Sequence, residues 1–210
     1  MVDIPINVEV DCSNGPCGRS KHVIVNPIIH KVTHLVVEDR RFPGESTRLV
    51  PAEKVADMTP NRIRLACTWE ELVTLEPFVT TRYVKVPRPS YPGGLFAGDE
   101  YTFDAYTEPY VLYDDDLKPI PEVHVPTGEV DIHRGMKVEA TDGKIGQVEA
   151  LVVEPENWDI THLTLQEGHF WGKREIAVPI SAVDRVAEDT IYLKLDKQEV
   201  ESLPSVPLKR

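Results

Sequence analysis

Apolar residues in this chain come in short alternating runs broken by turn residues, the pattern of half-buried strands. In the last third, Lys137 to Ala140 leads into Thr141-Asp-Gly-Lys144, and Gly146 to Val153 returns as a second strand. Asp-Gly between apolar runs predicts a tight hairpin, because both residues tolerate positive φ. A loop holding Pro155 follows, then a strand over Ile160 to Leu165, a strand ending at Val178-Pro179 and a strand around Ile191 to Leu195. A short helix closes the series. Asp196 stands three residues before Glu199, the spacing of a capping box, and Val200 with Leu203 forms one apolar stripe.

The same pattern occurs earlier in the chain. Shifted by 128 positions, Asn14-Gly15 falls on Asp142-Gly143, Gly18 on Gly146, and Pro27 on Pro155. Thr33-His34-Leu35 falls on Thr161-His162-Leu163, and Val50-Pro51 on Val178-Pro179. Thr68 and Glu71 repeat the capping box, with Leu72 and Leu75 as its stripe. A match that keeps register through turns, strands and a terminal helix is an internal duplication. Residues kept in both copies (Gly15, Gly18, His34, Pro51; Gly143, Gly146, His162, Pro179) are expected to serve the fold. Five or six short strands in about 65 residues suit a small, strongly bent barrel, which hides its edges, and the paired glycines permit the bends.

The order of an Asp-Gly hairpin, Gly-X-Val, Val152-Val-Glu-Pro155, Ile160-Thr-His-Leu163 and Val178-Pro-Ile-Ser-Ala-Val183 resembles the PRC-barrel family. That family includes the cytoplasmic barrel of the photosynthetic reaction-centre H subunit and the C-terminal domain of a ribosomal small-subunit maturation factor. Val130 to Leu203 matches better. Val8 to Leu75 departs at Cys12-Ser-Asn-Gly-Pro-Cys17 and from Arg40 to Ser46. The resemblance implies a mainly β chain of two small barrels, each ending in a short helix, and a habit of binding other macromolecules. It implies no catalytic motif. The expected organisation is a first repeat over 1–75, a connector over 76–129 and a second repeat over 130–210.

The connector holds nine of the chain's twelve Phe and Tyr residues, among them Phe78, Tyr83, Tyr91, Phe96, Tyr101, Phe103, Tyr106, Tyr110 and Tyr113, and it is rich in proline. Disordered linkers are poor in aromatics, so an extended but ordered arm is expected. Two readings of it stand: it packs on its own barrels, or its tyrosines face a partner. Trp158 and Trp171 add two further candidate anchors, with packing inside the fold as the alternative.

Charge narrows the partners. A net charge of −12 argues against nucleic acid and anionic lipid as direct partners and leaves protein, including a second copy, a dimer being favoured. Met1 to Val10 lacks the basic and apolar regions of a signal peptide, and three cysteines suit a reducing compartment, so a cytoplasmic location without membrane insertion is expected. His30 and His34 are four apart, but on a strand that is about 13 Å, too far for one zinc ion. His34 and His162 are therefore expected to be hydrogen-bonded structural residues. Cys12, Cys17 and Cys67 fall on Ala140, Ile145 and Leu195, so they read as small buried hydrophobes. Cys12 and Cys17 also flank a turn and could join under oxidising conditions, whereas a zinc site with His22 lacks ligands. No phosphate loop, nucleophile elbow or H-E-x-x-H is present. The expectation is a non-enzymatic scaffold without cofactor or metal. The family resemblance adds two alternatives: a ribosome or RNA-processing accessory factor, and a peripheral accessory of a photosynthetic or electron-transfer complex.

Overall fold

A computed structural model describes residues 2–39, 47–85, 117–167 and 175–206. The chain is mainly β. Its elements run β1 (Val2–Pro5), β2 (Glu9–Cys12), β3 (Gly15–Asn26), β4 (Lys31–Asp39), β5 (Thr47–Pro51), β6 (Val55–Thr59), β7 (Arg62–Leu65) and α1 (Trp69–Thr74). Then come β8 (Val79–Lys85), β9 (Leu117–Val123), β10 (Val130–His133), β11 (Lys137–Ala140), β12 (Gly143–Val153) and β13 (Ile160–Glu167). The series ends with β14 (Glu175–Pro179), β15 (Val183–Ala187), β16 (Thr190–Leu193), α2 (Lys197–Glu201) and β17 (Ser205–Val206).

Alternation makes the strands. In β7, Ile63 and Leu65 are buried while Arg62 and Arg64 are exposed, and β11 repeats this with Val138 and Ala140 inward. Both expected capping boxes form: Thr68 Oγ1 accepts from Glu71 N, and Asp196 Oδ1 from Glu199 N, with the glutamates returning the bond. The hairpin turns reach the same helices. Asn14 Oδ1 accepts from Trp69 N at 3.0 Å, and Asp142 Oδ1 from Lys197 N at 3.0 Å. The helices seat Leu72 and Val200 in the core with no exposure.

The first sheet has the order β5-β4-β3-β2-β7-β6 and the second β15-β16-β11-β12-β13-β14-β17. Their registers agree under the 128-residue shift: β2 runs parallel to β7 with Glu9 opposite Arg62, and β11 parallel to β16 with Lys137 opposite Thr190. Among the described residues neither hydrogen-bonded path closes on itself, so a closed barrel is not what these ladders form. In the first sheet the end strands β5 and β6 meet through a single 3-10 turn, Ala52–Lys54, rather than by pairing.

The two copies exchange strands. β1, at the start of the first copy, pairs with β12 of the second, Ile4 opposite Leu151. Reciprocally, β10 of the second copy pairs with β3 of the first, Ile132 opposite Val23. Ile4 and Ile132 are both buried, and one apolar core runs from Val10, Leu35 and Ile63 to Val138, Leu163 and Ile191. The copies are therefore not separate bodies: Met1–Val79 with Val123–Arg210 forms one compact unit, and Thr80–Glu122 another. The expected boundaries at 75 and 130 follow the repeat, whereas compactness follows the exchanged strands.

Candidate interaction surfaces

The β3–β4 loop of the first copy crosses the β12–β13 loop of the second on a local twofold axis. Val32 N donates to Trp158 O at 3.0 Å, and Ile160 N donates to His30 O at 2.7 Å. These bonds are equivalent under the 128-residue shift. His30 and Trp158 share a left-handed backbone, φ 53° and 63°. On the axis itself Lys31 faces Asp159, with Nζ 3.4 Å from Oδ1. These two residues occupy the same position in the two copies and carry opposite charges.

A group of titratable side chains gathers where β10 lies on β3. His133 faces His22 directly across the strands, the rings meeting edge to face with centroids 5.2 Å apart. His22 Nδ1 is 2.9 Å from both oxygens of Asp131, and His133 Nε2 is 2.9 Å from Asp189 Oδ1. Phe78 tilts against His22 at 5.1 Å. Phe78 is also the centre of a small outer cluster with Ile24, Val36 and Leu49, and its N–H donates to Thr47 O at 3.0 Å. Among the described residues no three His, Cys, Asp or Glu side chains are arranged to hold a metal ion.

The residues kept in both copies occupy matching fold positions. Gly15 and Gly143 take φ 131° and 125° at the hairpin turns, where a side chain would be strained. A Cβ on Gly18 would lie 2.1 Å from Glu38 O, so only glycine permits β3 to approach β4 there. Gly146 has the equivalent register opposite Glu167. His34 lies opposite Pro51, and His162 opposite Pro179. His34 Nδ1 is 3.1 Å from Thr33 Oγ1 and 3.7 Å from Glu129 Oε2, a residue just before β10.

Of the candidate anchors, Tyr83 stands exposed on β8, and Trp158 packs half-buried against the core. Tyr91, Phe96, Tyr101, Phe103, Tyr106, Tyr110, Tyr113 and Trp171 lie outside the described residues. β8 and β9 form a two-stranded ribbon that presents Tyr83, Val84, Ile120 and Val123 to solvent.

Cys12, Cys17 and Cys67 are buried free thiols. Burial pushes Cys17 up to about 11, and burial together with its cysteine neighbours raises Cys12 further. The Cys17 thiol donates to Val10 O at 3.4 Å. A cleft of about 470 Å³ is lined by Asp3, Glu149, Glu175 and Arg134. Glu175 is shifted above the ordinary glutamate range by burial, then by the charges of Glu149 and Asp3, against the opposing pull of Arg134. Arg134 forks onto both carboxylate oxygens of Glu149.

Sequence reasoning passed over His133, Asp189, Lys31 and Asp159, and weighed His22 only as a zinc ligand, because it looked for what the copies share. Their signal is a break in the repeat: His22 falls on Ala150, His133 on Pro5, Asp189 on Asn61, and Lys31 on Asp159. No helix among the described residues is long and apolar enough to cross a membrane. No curated protein matches the chain. The family model described as PRC-barrel domain matches residues 131–200, the stretch from β10 through α2.

Proposed function

We propose that this chain is a non-enzymatic, cytoplasmic assembly module that binds protein and pairs with a second copy of itself. In this reading both copies are PRC-type barrels, and the aromatic connector supplies the contact surface. The observation that carries it is the ribbon of β8 and β9. Tyr83 is 60% exposed and Ile120 50% exposed on a two-stranded element, and no other described strand pairs with either. A two-stranded ribbon is marginal in water on its own, and exposed apolar side chains on it favour packing against another chain. The PRC-barrel match supports an interaction role, and the charge of −12 favours protein over nucleic acid.

Light scattering on the purified full chain tests this. The expected result is a dimer that becomes a monomer in the Tyr83→Ser/Ile120→Ser variant. A monomeric native chain overturns the self-association reading, and a variant that stays dimeric removes the ribbon from it.

A further inference from the structure

The duplication allows one side of the axis to be compared with the other, and the two differ at the position of His30 and Trp158. Beside the loop crossing lies a small pocket of about 70 Å³. Its floor is Ile132, Leu151, Ile160, Leu163 and Ile191, and its rim includes Asn26, Pro27, His30 and Arg185. The residues 128 positions away from this floor are Ile4, Val23, Val32, Leu35 and Ile63, all of them core. On that side the residue equivalent to His30 is Trp158, half-buried against the core, and the residue equivalent to Val186 is the longer Met58, also packed on it. His30 has the same backbone conformation as Trp158 but its side chain is exposed.

We infer that this pocket seats the edge of a tryptophan side chain from a protein partner, at the position equivalent to that of Trp158 on the other side of the axis. Trp158 supplies the argument for the occupant: at the equivalent position of the other copy an indole packs half-buried against the apolar core. Two further observations favour a polypeptide over a free small molecule. At about 70 Å³ the pocket takes in only part of an indole, so the rest of a ligand's contacts must come from the surface around it. And the turn that forms its rim carries Ile28, 82% exposed, and Ile29, 56% exposed, where the other copy has Glu156 and Asn157. The apolar surface thus continues beyond the ring onto ground that flanking side chains can cover. Arg185, its guanidinium 4.4 Å over the Tyr192 ring, sets a polar border.

This inference rests on the reading of the chain as a protein-binding module. The experiment is a titration of the full chain, followed by amide chemical shifts, with indole and with an acetylated, amidated Leu-Trp-Leu peptide. Saturable shifts confined to residues 25–30, 183–186 and their neighbours are expected with both probes. The peptide should bind about tenfold tighter than indole, and Ile28→Ser/Ile29→Ser should remove that advantage. His30→Trp should fill the pocket from within, weaken both probes at least about tenfold and raise the melting temperature. Should that variant fail to fold, Val186→Met, which copies Met58, gives the same readout. No saturable shifts in the native chain, or equal binding by the filled variants, overturns the pocket. Indole binding as tightly as the peptide overturns the protein partner. The light-scattering result is independent, so a dimer that ignores the peptide leaves the assembly role standing and removes only this site.

Discussion

Exchange of β1 and β10 makes a crossed prediction. Ile4 belongs by sequence to the first copy, but its strand completes the second sheet, next to Leu151; Ile132 belongs to the second and completes the first, next to Val23. Both side chains are essentially unexposed, 0% and 3%. Truncating a buried isoleucine to alanine costs about 2–5 kcal/mol, the lost transfer energy plus a cavity the neighbours only partly refill. For a unit of this size each kcal/mol lowers Tm by about 2–4 °C, so a mid-range loss of about 3 kcal/mol corresponds to about 6–12 °C. Because one core runs through both copies, each variant should still melt in a single transition.

Where the loss is felt distinguishes exchange from two self-contained copies. Hydrogen exchange on Ile4→Ala should show reduced protection first in 150–153, the segment β1 covers, while 22–25 changes only through global unfolding. Ile132→Ala should reverse this, exposing 22–25 and sparing 150–153. If each variant loosens the copy it belongs to by sequence, the strand exchange is wrong and the copies fold separately. Two resolved transitions in either variant would refute the shared core.

Lys31 and Asp159 should discriminate the unlike pairing of the two copies from like pairing. Lys31→Asp and Asp159→Lys each place like charges on the axis and should destabilise the chain by up to about 1 kcal/mol in urea titrations, whereas the double swap should recover most of the loss, and a double variant no better than the singles refutes the pairing. Glu175→Gln should be more stable than the native chain at pH 7, because folding raises the glutamate above its ordinary range and so penalises its ionised form. That advantage should be full above the folded-state pKa and disappear once pH falls below the unfolded-state value; an advantage that grows on acidification contradicts the assignment. Cys12 and Cys17, held protonated by burial, should react with a thiol reagent at pH 8 only at the rate of unfolding, and prompt modification of the native chain would show that they are not sealed.

What was legible beforehand was decided locally. The Asn14-Gly15 and Asp142-Gly143 turns, the inward Ile63 and Leu65 and both capping boxes follow from φ preferences, the two-residue period of a strand and side chains three positions apart. Burial of the three cysteines was legible from their apolar counterparts. The exchange was not, for a physical reason. Val2-Asp3-Ile4 repeats as Val130-Asp131-Ile132, so a reciprocal swap leaves the pattern of each copy unchanged. Periodicity says which face of a strand is buried and is silent about which sheet it joins. The pairing of His22 with Asp131 was hidden for the same reason, since Asp131 reaches it only on the exchanged strand.

Duplication also separates what holds the fold from what makes the chain particular. Positions alike in both copies, such as Gly15 with Gly143 and Leu72 with Val200, sit at turns and in the core, where either copy fails without them. Among the positions that differ, several lie around the axis and the exchanged strands: Lys31 against Asp159, His30 against Trp158, Ile28-Ile29 against Glu156-Asn157, His22 against Ala150. A unit of two identical halves would present every surface twice, and its axis would bring a residue against its own copy. Opposite charges at that self-facing position remove the equivalence and favour unlike halves within one chain over like halves between chains. Once the halves are distinguishable, one side can keep its indole as a structural plug while the other gives it up. The pocket beside Ile28 and Ile29 is then on the side released from structural duty, which is why a partner would dock there.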